Sequence, residues 1–121
     1  MKTGVILFAH GARDPRWAEP FARLAARVAE ARPGQPVALA FLESMAPDLM
    51  GAAQALVGEG CAALRVVPVF LGQGGHVRED LPRRVDGVRA AFPDIAVELV
   101  PAVGEHPDVL AAIAGVAVAG L

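Results

Sequence analysis

The sequence predicts an α/β fold: a single domain over residues 1–121 with a four-stranded parallel sheet flanked by helices. Three observations carry this. Four short apolar runs alternate with four helix-like stretches. Two of the runs are hydrophobic almost throughout, as parallel strands covered on both faces are. The connections between them are short, as in right-handed βαβ units. A chain of 121 residues, 55% hydrophobic and 20% charged, suits one folded domain and not a disordered segment.

The elements follow in order. Gly4–Ala9 (GVILFA) reads as the first strand. Pro15–Ala31 follows as a helix, with Trp17, Phe21, Leu24, Ala25 and Val28 at helical spacing. Asp14-Pro15 supplies a cap and a first-turn proline, and Pro33-Gly34 stops the helix. Val37–Leu42 is the second strand and Pro47–Val57 the second helix, closed by Gly58 and Gly60. Ala63–Leu71 (ALRVVPVFL) is the third strand, with Pro68 marking a bulge or an irregular end. Val77–Phe92 is a helix ended by Pro93-Asp94, Ala96–Val100 the last strand and Pro107–Ala119 the last helix. From Val109 to Leu121 the chain carries no charge. A helix apolar on nearly all sides must be buried on more than one, so one face is expected on the sheet and the other against a partner in a homodimer.

Composition excludes several classes. The net charge is −2, and the eleven basic residues are ten Arg and one Lys. That leaves no polycationic footprint for nucleic acid. No run approaches the ~20 apolar residues of a membrane span, so no membrane is expected. The apolar stretch from Val5 to Ala9 is cut by His10-Gly11, too short for the core of a secretory signal. One cysteine, Cys61, cannot form an internal disulfide and reads as a small buried hydrophobe. A cytoplasmic location is expected.

In an open α/β sheet, ligands bind beyond the carboxyl ends of the strands. Those positions hold His10-Gly11-Ala12-Arg13-Asp14, then Glu43-Ser44-Met45, then Gly72 to Asp80, then Pro101 to His106. His10, Glu43 and His76 are each 33 residues apart, one βα repeat. In a flavodoxin-like order, 2-1-3-4, the first strand lies between the second and third. Adjacent strands are ~4.8 Å apart, so three strand ends can converge on one ion. Two imidazoles and a carboxylate suit a divalent transition metal. The spacing itself follows from the architecture; the residue types are the informative part. A strand-end histidine can also simply cap a loop, Glu43 can cap a helix, and Gly72, Gly74 and Gly75 can serve only to supply positive φ.

Two segments go further. Ala9-His10-Gly11-Ala12-Arg13-Asp14 and Gly74-Gly75-His76-Val77-Arg78-Glu79-Asp80-Leu81-Pro82 resemble the two signature segments of class II tetrapyrrole chelatases of the CbiX/SirB type. Phe41-Leu42-Glu43 is similar to that family's second-strand end. The resemblance runs over essentially the whole chain. It implies a chelatase-like domain, half of the two-domain long form, working as a homodimer. It also implies ATP-independent insertion of Co²⁺, Fe²⁺ or Ni²⁺ into sirohydrochlorin, on the way to cobalamin or sirohaem, with no nucleotide cofactor. His10, Glu43 and His76 are then the metal-handling and catalytic residues. The family usually has Ser where Ala12 stands, so any role of that hydroxyl is absent here.

Sirohydrochlorin bears eight carboxylates, which makes Arg13, Arg16, Arg78, Arg83 and Arg84 candidate clamps at its rim. Leu42, Met45, Phe70 and Leu71 are candidates for an apolar floor, and Gly74 and Gly75 for close approach of the ring. Two other functions share some of these features. A metal or tetrapyrrole carrier would use the same pocket without turnover. A histidine phosphatase would also carry His-Gly-x-Arg, but it needs an Arg immediately before the His-Gly, where this chain has Ala9.

Overall fold

The computed structural model describes residues 2–121. Strand β1 (Thr3–Ala9) sends Ile6 and Phe8 into one hydrophobic core and turns Leu7 and Ala9 to the opposite face, and all four are buried. Burial on both faces is what its unbroken apolar run predicts. It pairs in parallel with β2 (Val37–Phe41) on one side and β3 (Ala63–Pro68) on the other, and β3 pairs in parallel with β4 (Ala96–Leu99). The order β2-β1-β3-β4 is the flavodoxin-like one expected, with β1 central. Ala9 lies opposite Phe41 and Phe8 opposite Pro68, so the first three strands end at one edge.

Four helices complete the chain: α1 (Glu19–Ala31), α2 (Leu49–Gly58), α3 (Gly75–Ala91) and α4 (Pro107–Val118). Helices α2 and α3 share one face of the sheet. They contribute Leu49, Ala52, Ala53 and Leu56, and Val77, Leu81, Val85 and Val88, to a core with Ile6, Phe8, Leu64 and Val66. Cys61 is buried in the same core, as expected. Helix α1 lies on the other face over β1 and β2, with Trp17 in front of it packed on Phe21 and Phe41. The β3–β4 half of that face carries no helix and presents the Arg65–Glu98 ion pair (2.9 Å).

Element boundaries moved where backbone hydrogen bonding required it. Residues Pro15–Ala18 form a 3-10 turn, capped by the Asp14 carboxylate on the Arg16 N–H, and the α-helix starts only at Glu19. Pro20 has no N–H to give the Arg16 carbonyl, so Glu19 donates there instead, one residue early. Asp48 caps α2 by accepting from the Gly51 N–H (2.8 Å), which sets its start at Leu49 and not at Pro47. Strand β3 ends at Pro68, short of Leu71: Pro68 has no N–H to continue the ladder to β4, while the Val69 N–H still donates to the Phe8 carbonyl (2.8 Å). Helix α3 starts at Gly75, two residues before Val77, and so takes His76 into its first turn.

The last helix departs from expectation in its packing. No residue of α4 is buried, and its contacts are essentially confined to the 3-10 turn Val103–Glu105 before it. Neither of its faces rests on the sheet.

Candidate metal-handling site

The ends of β1 and β2 are stitched together beyond the last ladder pair. The Leu42 N–H donates to the Ala9 carbonyl (2.9 Å) and the Glu43 N–H to the His10 carbonyl (3.1 Å). Gly11 makes this possible. It holds φ +93°, and a Cβ there would collide with the Glu43 carbonyl oxygen. His10 and Glu43 are therefore fixed side by side by their backbones. The His10 ring stands edge-on to Phe70 at 5.5 Å between centroids.

A second crossing serves the other half of the sheet. The Gly104 N–H donates to the Phe70 carbonyl (2.9 Å), and a Cβ at Gly104 would overlap the Leu71 backbone. The loops after β3 and β4 are thus clamped where His76 is presented.

A cleft of about 260 Å³ opens between the end of β2 and the first turns of α3. Glu43 and His76 both line it; His10 does not. Among the described residues, no three His, Cys, Asp or Glu side chains gather closely enough to hold an ion by themselves. The structure therefore brings two of the three expected ligands into one cleft and seats the third on the adjoining strand end.

The rest of the cleft belongs to one face of α3. Glu79, Asp80, Arg83 and Arg84 lie three, four, seven and eight residues beyond His76, the spacing of a single helical stripe, and all line the cleft. Arg78 does not. Two residues are about 200° around a helix, and Arg78 faces a separate recess with Gln73, Leu99 and Glu105. Of the candidate rim arginines on α3, Arg78 therefore lies away from His76, while Arg83 and Arg84 share its cleft.

The other expected substrate contacts divide. Phe70 is a core residue, 7% exposed and packed against Phe8; it supports the His10 ring and forms no open floor. Leu71 is 68% exposed, and Met45 and Leu42 are half-buried. Gly74 and Gly75 have negative φ or helical backbone, so positive φ does not explain them, and Cβ atoms there would meet nothing within 4 Å. Gly72 is likewise open. The space beside this loop is free for something outside the chain.

Charge pairing sorts the arginines. Arg16 makes two-pronged contact with the Asp14 carboxylate (2.6 Å to Oδ2). The Arg16 guanidinium holds the Asp14 carboxyl below its ordinary range, so the pair stays ionised until pH falls well into the acid region. Arg84 is paired with Asp80 at 2.6 Å, each side chain 36% exposed. Arg13 is exposed, and among the described residues neither it nor Arg83 is within an ion-pair distance of a carboxylate.

A wound α/β domain with a cleft of imidazole, carboxylate and guanidinium groups near the carboxyl ends of its strands has the architecture in which such folds place their ligands. The chain belongs to the CbiX family, whose sequence profile matches residues 4–117. It is 35% identical over 81 residues to a sirohydrochlorin cobaltochelatase of Methanococcoides burtonii, covering 67% of this chain and 62% of that one. It is 25% identical over 114 residues to the sirohydrochlorin ferrochelatase of Bacillus subtilis, covering 93% of this chain and 43% of that one. Its fold matches a crystal structure described as a CbiX protein of cobalamin biosynthesis from Marinobacter aquaeolei. There the TM-score is 0.84 at 32% identity, covering 95% of this chain and 93% of that one. The chain thus spans about six tenths of the cobaltochelatase and less than half of the ferrochelatase.

Proposed function

We propose that this chain inserts a divalent metal (cobalt, iron or nickel) into sirohydrochlorin without a nucleotide cofactor. His10, Glu43 and His76 carry the reaction. The observation that supports this most directly is the cleft shared by Glu43 and His76, with His10 tied to Glu43 through the backbone. Membership of the CbiX family and likeness to proteins named for this activity support the substrate. We read residues 1–121 as one chelatase domain, equivalent to half of the two-domain long form, acting as a homodimer in the cytoplasm.

The chemistry follows from the groups present. Metallation exchanges two pyrrole N–H protons for one M²⁺. Neutral imidazole both ligates a metal and accepts a proton near neutral pH. His76 and Glu43 hold the incoming ion with open coordination positions, which the ring nitrogens fill. His10, exposed at the end of β1 and edge-on to Phe70, takes part in ligation or proton removal. The open loop at Gly74 and Gly75 and the exposed Leu71 provide room for a broad flat ring.

The test is absorbance of sirohydrochlorin mixed with each divalent ion, with and without protein. Catalysed multiple turnover is expected. His10→Ala, Glu43→Ala and His76→Ala should each lower kcat at least tenfold, equivalent to about 1.4 kcal/mol of barrier. Wild-type turnover by the folded variants would remove these residues from the mechanism. A yield that stops at one metallated ring per site would mark a carrier.

A further inference from the structure

We infer that Arg83, and not its neighbour Arg84 or the motif residue Arg78, is the guanidinium that anchors a peripheral carboxylate of the substrate ring. This rests on the chelatase reading and assigns a specificity-determining residue within it.

Three observations lead there. The first is position. Arg83 lies seven residues after His76 on α3, on the same face, and lines the same cleft. Seven residues advance about 10 Å along a helix axis. Helical side chains lean back toward the N-terminus, which shortens the reach from the guanidinium to the His76 end. That span is comparable with the distance from the centre of a tetrapyrrole to the carboxylate of one of its side chains. An ion at Glu43 and His76 lies at the ring centre, so the ring edge falls at Arg83.

The second is charge. Arg84 shares the cleft but is bound to Asp80 at 2.6 Å, in the favourable order with the acid one turn ahead. To an arriving carboxylate that pair is close to neutral. Arg83 has no carboxylate partner within ion-pair distance among the described residues. Arg78, equally unpaired, faces the other recess.

The third is the polarity of the cleft as a whole. Glu43 and Glu79 stand at its strand end and Arg83 at its far end. The acidic end attracts a cation and repels carboxylates; the basic end does the reverse. A ring with a metal-accepting centre and an anionic rim is complementary to that gradient when its centre lies at the acidic end and a rim carboxylate at the basic end. A guanidinium is suited to the task because it forms two parallel hydrogen bonds to a carboxylate, which fixes direction as well as distance.

The experiment compares wild type with Arg83→Ala, Arg83→Lys, Arg84→Ala, Asp80→Asn and the double variant Arg83→Ala/Asp80→Asn. Two quantities are read: equilibrium binding of metal-free sirohydrochlorin by fluorescence titration, and KM and kcat with cobalt. Circular dichroism checks the fold of each. Arg83→Ala should raise Kd and KM about tenfold while kcat stays within about threefold. Arg83→Lys, keeping charge and losing the fork, should fall between. Arg84→Ala should change Kd by less than about threefold. Asp80→Asn frees Arg84 and should tighten binding, and in the double variant it should recover part of the lost affinity.

Unchanged Kd in Arg83→Ala, or a larger loss in Arg84→Ala, overturns the inference even when wild type turns over normally. Wild type that binds the ring without metallating it defeats the chelatase reading, while the binding comparison still decides Arg83. No binding by wild type overturns both.

Discussion

At the scale of single residues, the glycines separate two kinds of constraint that look alike in a sequence. Gly11 and Gly104 are required inside the chain, because backbone from another loop occupies the place of a side chain. At Gly74 and Gly75 an added Cβ would meet nothing within 4 Å among the described residues, so nothing there excludes a side chain. Gly11→Ala should therefore cost about 2 kcal/mol or more, from positive φ together with the collision at Glu43. Gly75→Ala should leave stability within about 0.5 kcal/mol of wild type, yet lower kcat/KM for a ring that approaches the loop, whereas Gly74→Ala also weakens the N-cap of α3. Urea denaturation beside steady-state kinetics reads both, and a Gly75→Ala variant with lost stability would show that the loop is internally packed after all. That Glu43 and His76 share one cleft was legible from the βα alternation, but the place of His76 in the first turn of α3, and not at a strand end, was not. The crossings at Gly11 and Gly104 were not legible, because they join segments about thirty residues apart and leave no local pattern.

Among the elements, the clearest sequence signal did not mark the deepest burial. The first helix has the sharpest segregation of apolar and charged residues, yet none of its side chains is fully buried. Helix α2 is apolar on most sides, gives little periodic signal, and buries Leu49, Ala52, Ala53 and Leu56. Amphipathic spacing reports that a helix has one solvated face; it does not report how much lies over the other. Leu49→Ala and Leu56→Ala should each cost about 2–5 kcal/mol, and Leu24→Ala on α1 less than about 1 kcal/mol. Chemical denaturation ranks them, and an equal loss at Leu24 would mean that α1 carries more of the fold than its exposure implies. Strand number, order and direction were readable because unbroken apolar runs in a βα alternation admit few topologies. The two extra residues at the start of α3 were not, and they decide which side chains share a face with His76. That is why, of the arginines on α3 expected at the substrate rim, Arg83 and Arg84 line the cleft with His76 while Arg78 faces another recess.

For the whole molecule, the unresolved balance is α4. Leu110, Ile113, Val116 and Val118 are 51%, 45%, 80% and 60% exposed, on a helix without a charged residue after Asp108. Among the described residues nothing lies over them. The opposite face of the sheet is also incompletely covered: α1 reaches only β1 and β2, and an apolar recess lined by Val67, Val100, Pro101, Val103 and Val109 opens beside the root of α4. A bare apolar helix and a bare apolar recess in one chain are each a cost in water, of about 25 cal/mol for every Å² of apolar surface left wet. A second copy seated on them would relieve both, and closed twofold pairing is the commonest way for identical chains to do so. The expected state at micromolar concentration is a dimer. Ile113→Glu with Val116→Glu places charge in the contact without touching the sheet or the cleft, so it should yield a monomer of unchanged secondary structure. Light scattering measures the mass of each. A single-chain mass for wild type, in a preparation that still metallates sirohydrochlorin, would show that α4 stands free and that one domain suffices for the reaction.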